Sequence, residues 1–190
     1  EPRMERPTIF LTGGSGYVGR NLIRRLCADG YAVRALVRSA GAASTVTRLG
    51  AEAVEGALCS AAIGTHMAGC VAVIHAAADT GHHSDSAWQW STNVEGTRNV
   101  ITAARAAGVP RAVVISSASA ITSGRPLRNV TADHPYPKRP AGIYGASRAR
   151  AERVALALAG DAFQVVVLRP RLVWGRDNTT AVANLLGAVR

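Results

Sequence analysis

The segment Thr12-Gly13-Gly14-Ser15-Gly16-Tyr17-Val18-Gly19 joins the apolar run 8–12 to a stretch of helical spacing over 17–29, which Gly30 stops. Glycines packed into a strand-to-helix junction permit a turn that side chains would block. The segment reads as GxxGxxG through Gly13, Gly16 and Gly19, or as GxGxxG through Gly14, Gly16 and Gly19. In both readings one glycine makes the tight turn, Gly16 lets backbone approach a pyrophosphate, and Gly19 lets the helix pack closely on the strand. Tyr17 and Val18 open the helix whose unpaired N–H groups would face the phosphates.

The rest of the chain repeats the same alternation. Strands are expected at 8–12, 32–37, 51–55, 71–75, 112–116 and 164–168, and helices at 17–29, 42–49, 86–107 and 143–158. A turn at Ala68-Gly69 precedes the fourth strand, Gly108-Val109-Pro110 closes the long helix, and a loop rich in Pro, Gly and Arg fills 122–140. Most of the strands are continuously apolar, which calls for a parallel sheet covered on both faces. The fold class is therefore α/β, a doubly wound parallel sheet of the Rossmann type.

Composition excludes several other classes. Hydrophobic residues make up 48% of the 190 and charged residues 18%, against disorder or a fibrous protein. No apolar run approaches the ~18 residues of a membrane span, and the first residues do not read as a signal peptide. Net charge is +10, but Lys138 is the only lysine and the arginines are spread along the chain. With no basic block and no interleaved aromatics, nucleic-acid binding is not indicated; an anionic small molecule is. Cys27, Cys59 and Cys70 form no CxxC pair, which fits a reducing, cytoplasmic setting.

The second strand ends in Arg38-Ser39, with no carboxylate for a ribose 2′-hydroxyl. A guanidinium there matches a 2′-phosphate, so NADP(H) is expected rather than NAD, with Ser39 adding a hydrogen bond. Tyr144 and Arg148 share a helical face at i, i+4, and a cation one turn from a phenol favours its ionised form. Tyr144 is thus a candidate acid/base for a substrate hydroxyl or carbonyl. Ser116 and Ser117 end the fifth strand, where strand C-termini line the ligand crevice.

TGGSGYVG at 12–19, VIHAAA at 73–78, NVEGTRNV at 93–100, VISSAS at 114–119, YGASR at 144–148 and LRPRLVWG at 168–175 follow one another in order. Together they resemble the extended short-chain dehydrogenase/reductase family, near its epimerase/dehydratase and 3β-hydroxysteroid dehydrogenase-like branches, over about residues 8–180. The resemblance implies Tyr144 as catalytic acid/base and Ser117, ahead of Ser116, as the group polarising the substrate oxygen. It implies that Asn93 supports the site and its water relay, that Ala76 and Ala77 run beside the cofactor, and that Arg169-Pro170 opens the loop at the nicotinamide.

Two positions depart from the family pattern. Arg148 stands where YxxxK has lysine; it keeps the charge but is longer, fork-shaped and never releases its proton. Gly56-Ala57-Leu58 replaces the common Gly-Asp-Leu, leaving backbone groups at Leu58 to serve the adenine. Family members carry more than a hundred further residues, so 1–175 is read as the NAD(P)-binding domain and 176–190 as the start of an incomplete substrate region.

The expected function is hydride transfer between NADP(H) and a secondary alcohol or ketone. An epimerase/dehydratase cycle with transient oxidation, or a non-catalytic dinucleotide-binding module, are the alternatives. Sugar-nucleotide, sterol-like and phenolic ketone substrates all fit. By analogy, the helices at 86–107 and 143–158 would pair across a homodimer axis. His82, His83 and Asp85 lack the ligand set of a metal site, and no metal is expected. His75 reads as a packed or cofactor-adjacent histidine. Of Trp88 and Trp90, one is expected to pack while the other edges the pocket.

Overall fold

The computed structural model describes residues 6–81 and 86–178. Six parallel strands run β1 (Thr8–Thr12), β2 (Ala32–Val37), β3 (Glu52–Glu55), β4 (Ala72–His75), β5 (Arg111–Ile115) and β6 (Gln164–Leu168), in the sheet order β3-β2-β1-β4-β5-β6. The helices are α1 (Tyr17–Ala28), α2 (Ala40–Arg48), α3 (Ser86–Trp90), α4 (Gly96–Ala106) and α5 (Gly142–Leu156). The register sets Thr12 opposite both Leu36 and His75, and Ile115 opposite Leu168. All the strand C-termini therefore reach one edge, and the order reverses between β1 and β4, where a crevice opens.

The central strands bury both faces of the sheet, β1 from Ile9 to Thr12 and β4 throughout, while edge strand β3 exposes Glu52 and Glu55. Along β1, Ile9 and Leu11 join Ile23, Val33 and Val46 under α1 and α2, whereas Phe10 joins Met67, Val73, Val100 and Ile101 under α4. On edge strand β6, Val166 and Leu168 are about half exposed.

Three elements differ from the expected pattern. The helix expected over 86–107 is interrupted by a π turn, Ser91–Glu95, in which the Gly96 N–H reaches back to the Ser91 carbonyl. The widened turn lets the Asn93 side chain fold inward and bond to Asp79 and Ser147. A 3₁₀ helix, Ala61–Met67, was not expected; it is capped by Ser60 and buries Ile63 and Met67. Helix α2 starts at Ala40, two residues early, because the Ser39 Oγ accepts from the Ala42 N–H as N-cap. Residues 179–190, read above as part of an incomplete substrate region, lie outside the described residues.

Candidate active site

The glycine turn is fixed by contacts that leave no room for Cβ. Gly13 has φ +74°, and a Cβ there would lie 2.6 Å from the Ala77 nitrogen. At Gly19 a Cβ would lie 2.1 Å from the Gly13 carbonyl oxygen. Helix α1 begins after Gly16 with neither a side-chain cap nor an acidic residue in its first turn. Its leading N–H groups are thus left for an anion.

A cavity of about 520 Å³ opens at this turn, lined by Gly13, Gly16, Arg38, Ser39, Leu58, Ala76 and Ala77 of the predicted set. Ser15, Ala78 and Thr92 also line it and were not singled out from the sequence. Tyr17, Val18 and Gly19 form the first turn of α1 beside it. The Leu58 carbonyl accepts from Asn99 Nδ2 at 2.5 Å. A second cavity, about 580 Å³, is lined by Arg20, Arg24 and Arg48 of α1 and α2 with Asp177.

Tyr144 and Arg148 lie on α5. Tyr144 is half-buried, and its hydroxyl makes no hydrogen bond among the described residues. Gly145 has its Cα so near the Ser119 carbonyl that a Cβ would stand 2.7 Å from that oxygen. This close approach brings the start of α5 against the 3₁₀ turn Ala118–Ile121. Ser117 caps that turn, accepting from the Ser119 N–H at 3.2 Å and donating to Ser119 Oγ at 3.1 Å. The pair can donate in either direction, which leaves one hydroxyl proton uncommitted.

Arg148 is only 1% exposed, and its Nη2 donates to the Ile115 carbonyl. Its Nε and Nη1 are withdrawn from solvent and have no acceptor among the described residues. Burial pushes its pKa down, opposed by Tyr144 and Glu152. An unpaired buried donor costs ~1–3 kcal/mol, and Arg148 lines neither cavity. With the uncapped α1 terminus and the Arg38-lined cavity, the residues present suit a dinucleotide.

His75, fully buried, links the two halves. Thr97 Oγ1 donates to the Asn93 carbonyl at 2.6 Å, so His75 Nε2 must donate to Thr97. His75 Nδ1 then accepts from Thr12 Oγ1 at 2.7 Å, and that oxygen in turn accepts from the Ala77 N–H at 3.2 Å. Every group is used once with the ring neutral. Burial, and then the nearby Arg148 charge, lower the His75 pKa from 6.5 to about 3.

The unfolded chain therefore binds a proton below pH 6.5 that the native state refuses until about pH 3. Stability from this site is complete above pH 6.5 and is lost as pH falls toward 3. Between pH 7 and pH 4 the loss is expected to be about 3 kcal/mol. Urea unfolding at the two pH values should show that fall, and His75→Gln should reduce the difference; an equal difference in both proteins would assign it elsewhere.

Asn93 sits at the π turn, accepting from the Asp79 N–H at 2.8 Å and donating to the Asp79 carbonyl and Ser147 Oγ, each at 3.0 Å. Arg169 does not line the cavity; it pairs with Glu152 and donates to the Ala132 carbonyl. Glu152, fully buried, was missed by the sequence reading. Both tryptophans of α3 are exposed, Trp88 at 58% and Trp90 at 40%, correcting the expectation that one packs; Gln89 turns inward between them. It does so because its amide donates to the carbonyls of Asp79 and Gly81. His82, His83 and Asp85 lie outside the described residues, among which no metal-binding cluster occurs. Cys27, Cys59 and Cys70 are free, and no helix among the described residues is long and apolar enough to cross a membrane.

A parallel six-stranded sheet with a glycine-turn cavity at its switch point defines a Rossmann-type α/β domain. A model of the NAD dependent epimerase/dehydratase family matches residues 9–189. A 4-hydroxy-2-methyl-3-oxo-4-farnesyl-3,4-dihydroquinoline-1-oxide ketoreductase of Stigmatella aurantiaca is 45% identical over 182 residues, covering 95% of this chain and 54% of that protein. A decarboxylating sterol-4-alpha-carboxylate 3-dehydrogenase of Dictyostelium discoideum is 34% identical over 179 residues, covering 90% and 55%. The solved structure of a short-chain dehydrogenase/reductase superfamily protein from Agrobacterium tumefaciens with bound NAD matches at a TM-score of 0.72 and 34% identity, covering 85% of this chain and 48% of that one. The chain belongs to the NAD dependent epimerase/dehydratase family, within the short-chain dehydrogenases/reductases. It spans about half the length of the curated relatives it matches.

Proposed function

We propose that the protein is an NADP(H)-dependent oxidoreductase of a secondary alcohol or ketone, with residues 1–175 forming its cofactor domain and 176–190 beginning its substrate region. The observation that carries this reading is the buried Arg148, two of whose nitrogens have no acceptor among the described residues, one helical turn from Tyr144, whose hydroxyl has no partner there. Among the relatives, one is named for ketone reduction and one for dehydrogenation at a sterol 3-position, which supports a ring or chain carbonyl as the reacting group. When bound, the nicotinamide supplies or takes the hydride.

The chain's own residues handle the proton and the oxygen. Tyr144 Oη gives its proton to the substrate oxygen in reduction and takes it in oxidation. In the Ser117–Ser119 pair, Ser117 Oγ accepts from the Ser119 hydroxyl and turns its own O–H to the substrate oxygen as the second donor. Arg148 supplies the fixed positive charge beside Tyr144. Asn93 ties α5 to the segment after β4 through Ser147 and Asp79.

Cofactor choice rests on Arg38. It is exposed at the C-terminus of β2, lines the cavity, and has no carboxylate next to it in sequence. Hydrogen bonds to charged groups contribute about 1.5–3 kcal/mol. Calorimetric titration should therefore give at least ~10-fold tighter binding of NADPH than NADH. Arg38→Ala should weaken NADPH by about 10–100-fold and leave NADH unchanged. A preference for NADH would remove the NADP assignment, and no binding of either would overturn the dinucleotide reading. Turnover without net cofactor consumption would mark an epimerase/dehydratase cycle instead.

A further inference from the structure

The connection 122–141, between the 3₁₀ turn ending at Ile121 and the start of α5 at Gly142, far exceeds the ~4–6 residues usual between elements. It is mostly exposed, yet its ends meet: the Ala141 N–H donates to the Thr122 carbonyl at 2.9 Å. Connections of this length with closed necks are commonly functional. The neck rests on the site described above, since the Thr122 N–H bonds to the Ser119 carbonyl, and Gly145 presses on that same carbonyl.

Beyond the neck, the contacts of the loop with the domain gather around one buried carboxylate, Glu152. Tyr136 Oη donates to Glu152 Oε2 at 2.8 Å, and its ring lies against Arg153 at 4.6 Å and Arg169 at 5.2 Å. Arg169 pairs with the same carboxylate oxygen through Nε at 2.9 Å and Nη2 at 2.8 Å, while its Nη1 donates to the loop carbonyl of Ala132. The other oxygen of Glu152 accepts from Ser116 Oγ. One carboxylate, 0% exposed, thus collects the end of β5, the exit of β6 and the loop on a single turn of α5. Burying a carboxylate is expensive unless its partners are all in place. That expense makes the loop's seating close to all-or-none.

We propose that Glu152, acting through Tyr136 and Arg169, latches the loop 122–141 onto α5, and that the seated loop positions the substrate against Ser117 and Tyr144. Glu152 and Tyr136 are positioning residues in this scheme, which rests on the roles given above to Tyr144 and Ser117. Tyr136→Phe is the discriminating variant. It removes the hydrogen bond to Glu152 and leaves the ring between the two guanidinium groups. Glu152→Gln is the second, abolishing the charge that holds Arg169.

Limited trypsin digestion reads the latch without any substrate. The loop exposes Arg128 and Lys138, whereas Arg125 and Arg139 precede prolines and resist cleavage. Cleavage after Arg128 and Lys138 should rise at least ~5-fold in both variants relative to cleavage after Arg98 in α4, as loss of a charged hydrogen bond implies. In the full-length protein, KM for the carbonyl substrate should rise about 10-fold, with kcat within ~3-fold and NADPH affinity unchanged.

Unchanged loop cleavage in both variants would overturn the latch, as would cleavage rising equally at Arg98. Faster loop cleavage with an unchanged KM would overturn the positioning role. If the unmodified protein shows no turnover, the oxidoreductase reading falls, and the cleavage ratio still decides the latch.

Discussion

Gly19→Ala is expected to abolish measurable dinucleotide binding and to destabilise the chain by about 3 kcal/mol, the upper part of the range for forcing an extra carbon into a packed site. The added Cβ would lie 2.1 Å from the Gly13 oxygen, 2.6 Å from Gly14 Cα and 2.8 Å from Gly13 C. All three are backbone atoms of the phosphate turn, so no side chain can rotate away. Relief requires α1 to move off the strand, taking with it the N–H groups that would meet the pyrophosphate. Gly41 is the control: nothing lies within 4 Å of its Cβ position in α2, and Gly41→Ala should be neutral or stabilising by about 0.5 kcal/mol. Thermal unfolding and NADPH titration of the two variants give the comparison. Retained affinity in Gly19→Ala would show that the turn is not what holds the phosphates.

The same contacts decide between the two sequence readings of the turn. Gly13 needs a positive φ and sits on the Ala77 backbone, whereas Gly14 meets only the side chains of Ala35, Val46 and Ile23 at 3.2–3.3 Å. The geometry therefore demands GxxGxxG, through Gly13, Gly16 and Gly19. Periodicity could not separate these readings because φ and close approach belong to the folded chain.

Strand β1 was legible for a local reason: the apolar run Ile9-Phe10-Leu11 is the same signal whether a side chain points up, like Phe10, or down, like Ile9 and Leu11. The π turn was not legible, because Asn93 is held by Asp79 and Ser147, partners 14 and 54 residues away. Glu152 was hidden for the same reason. A glutamate in an arginine-rich helix reads as a solvated charge, and its partners Ser116, Tyr136 and Arg169 lie in three other segments. Gln89 between two tryptophans inverts the hydrophobic ranking, since its amide is paid for by two carbonyls and the indoles are left at the surface. Hydrophobic patterning shows layers; it does not show which polar group has been satisfied at long range.

Tyr144→Phe is expected to lower kcat by about 10²–10⁴-fold, the usual contribution of a positioned proton donor. The variant is a clean one. The Tyr144 hydroxyl has no hydrogen-bond partner among the described residues, so its removal orphans nothing and leaves packing intact. Melting temperature and NADPH affinity should not change. The loss should appear equally in kcat and kcat/KM, because an oxygen–proton contact that strengthens only in the transition state contributes nothing to ground-state binding. Single-turnover reduction of a ketone by the full-length protein with NADPH measures it directly. Turnover within about 3-fold of the parent would remove Tyr144 from the chemistry and leave the proton to the Ser117 hydroxyl, paired with Ser119. A fall in NADPH affinity of the same size would instead make Tyr144 a cofactor-binding residue, and the proton would have to come from elsewhere.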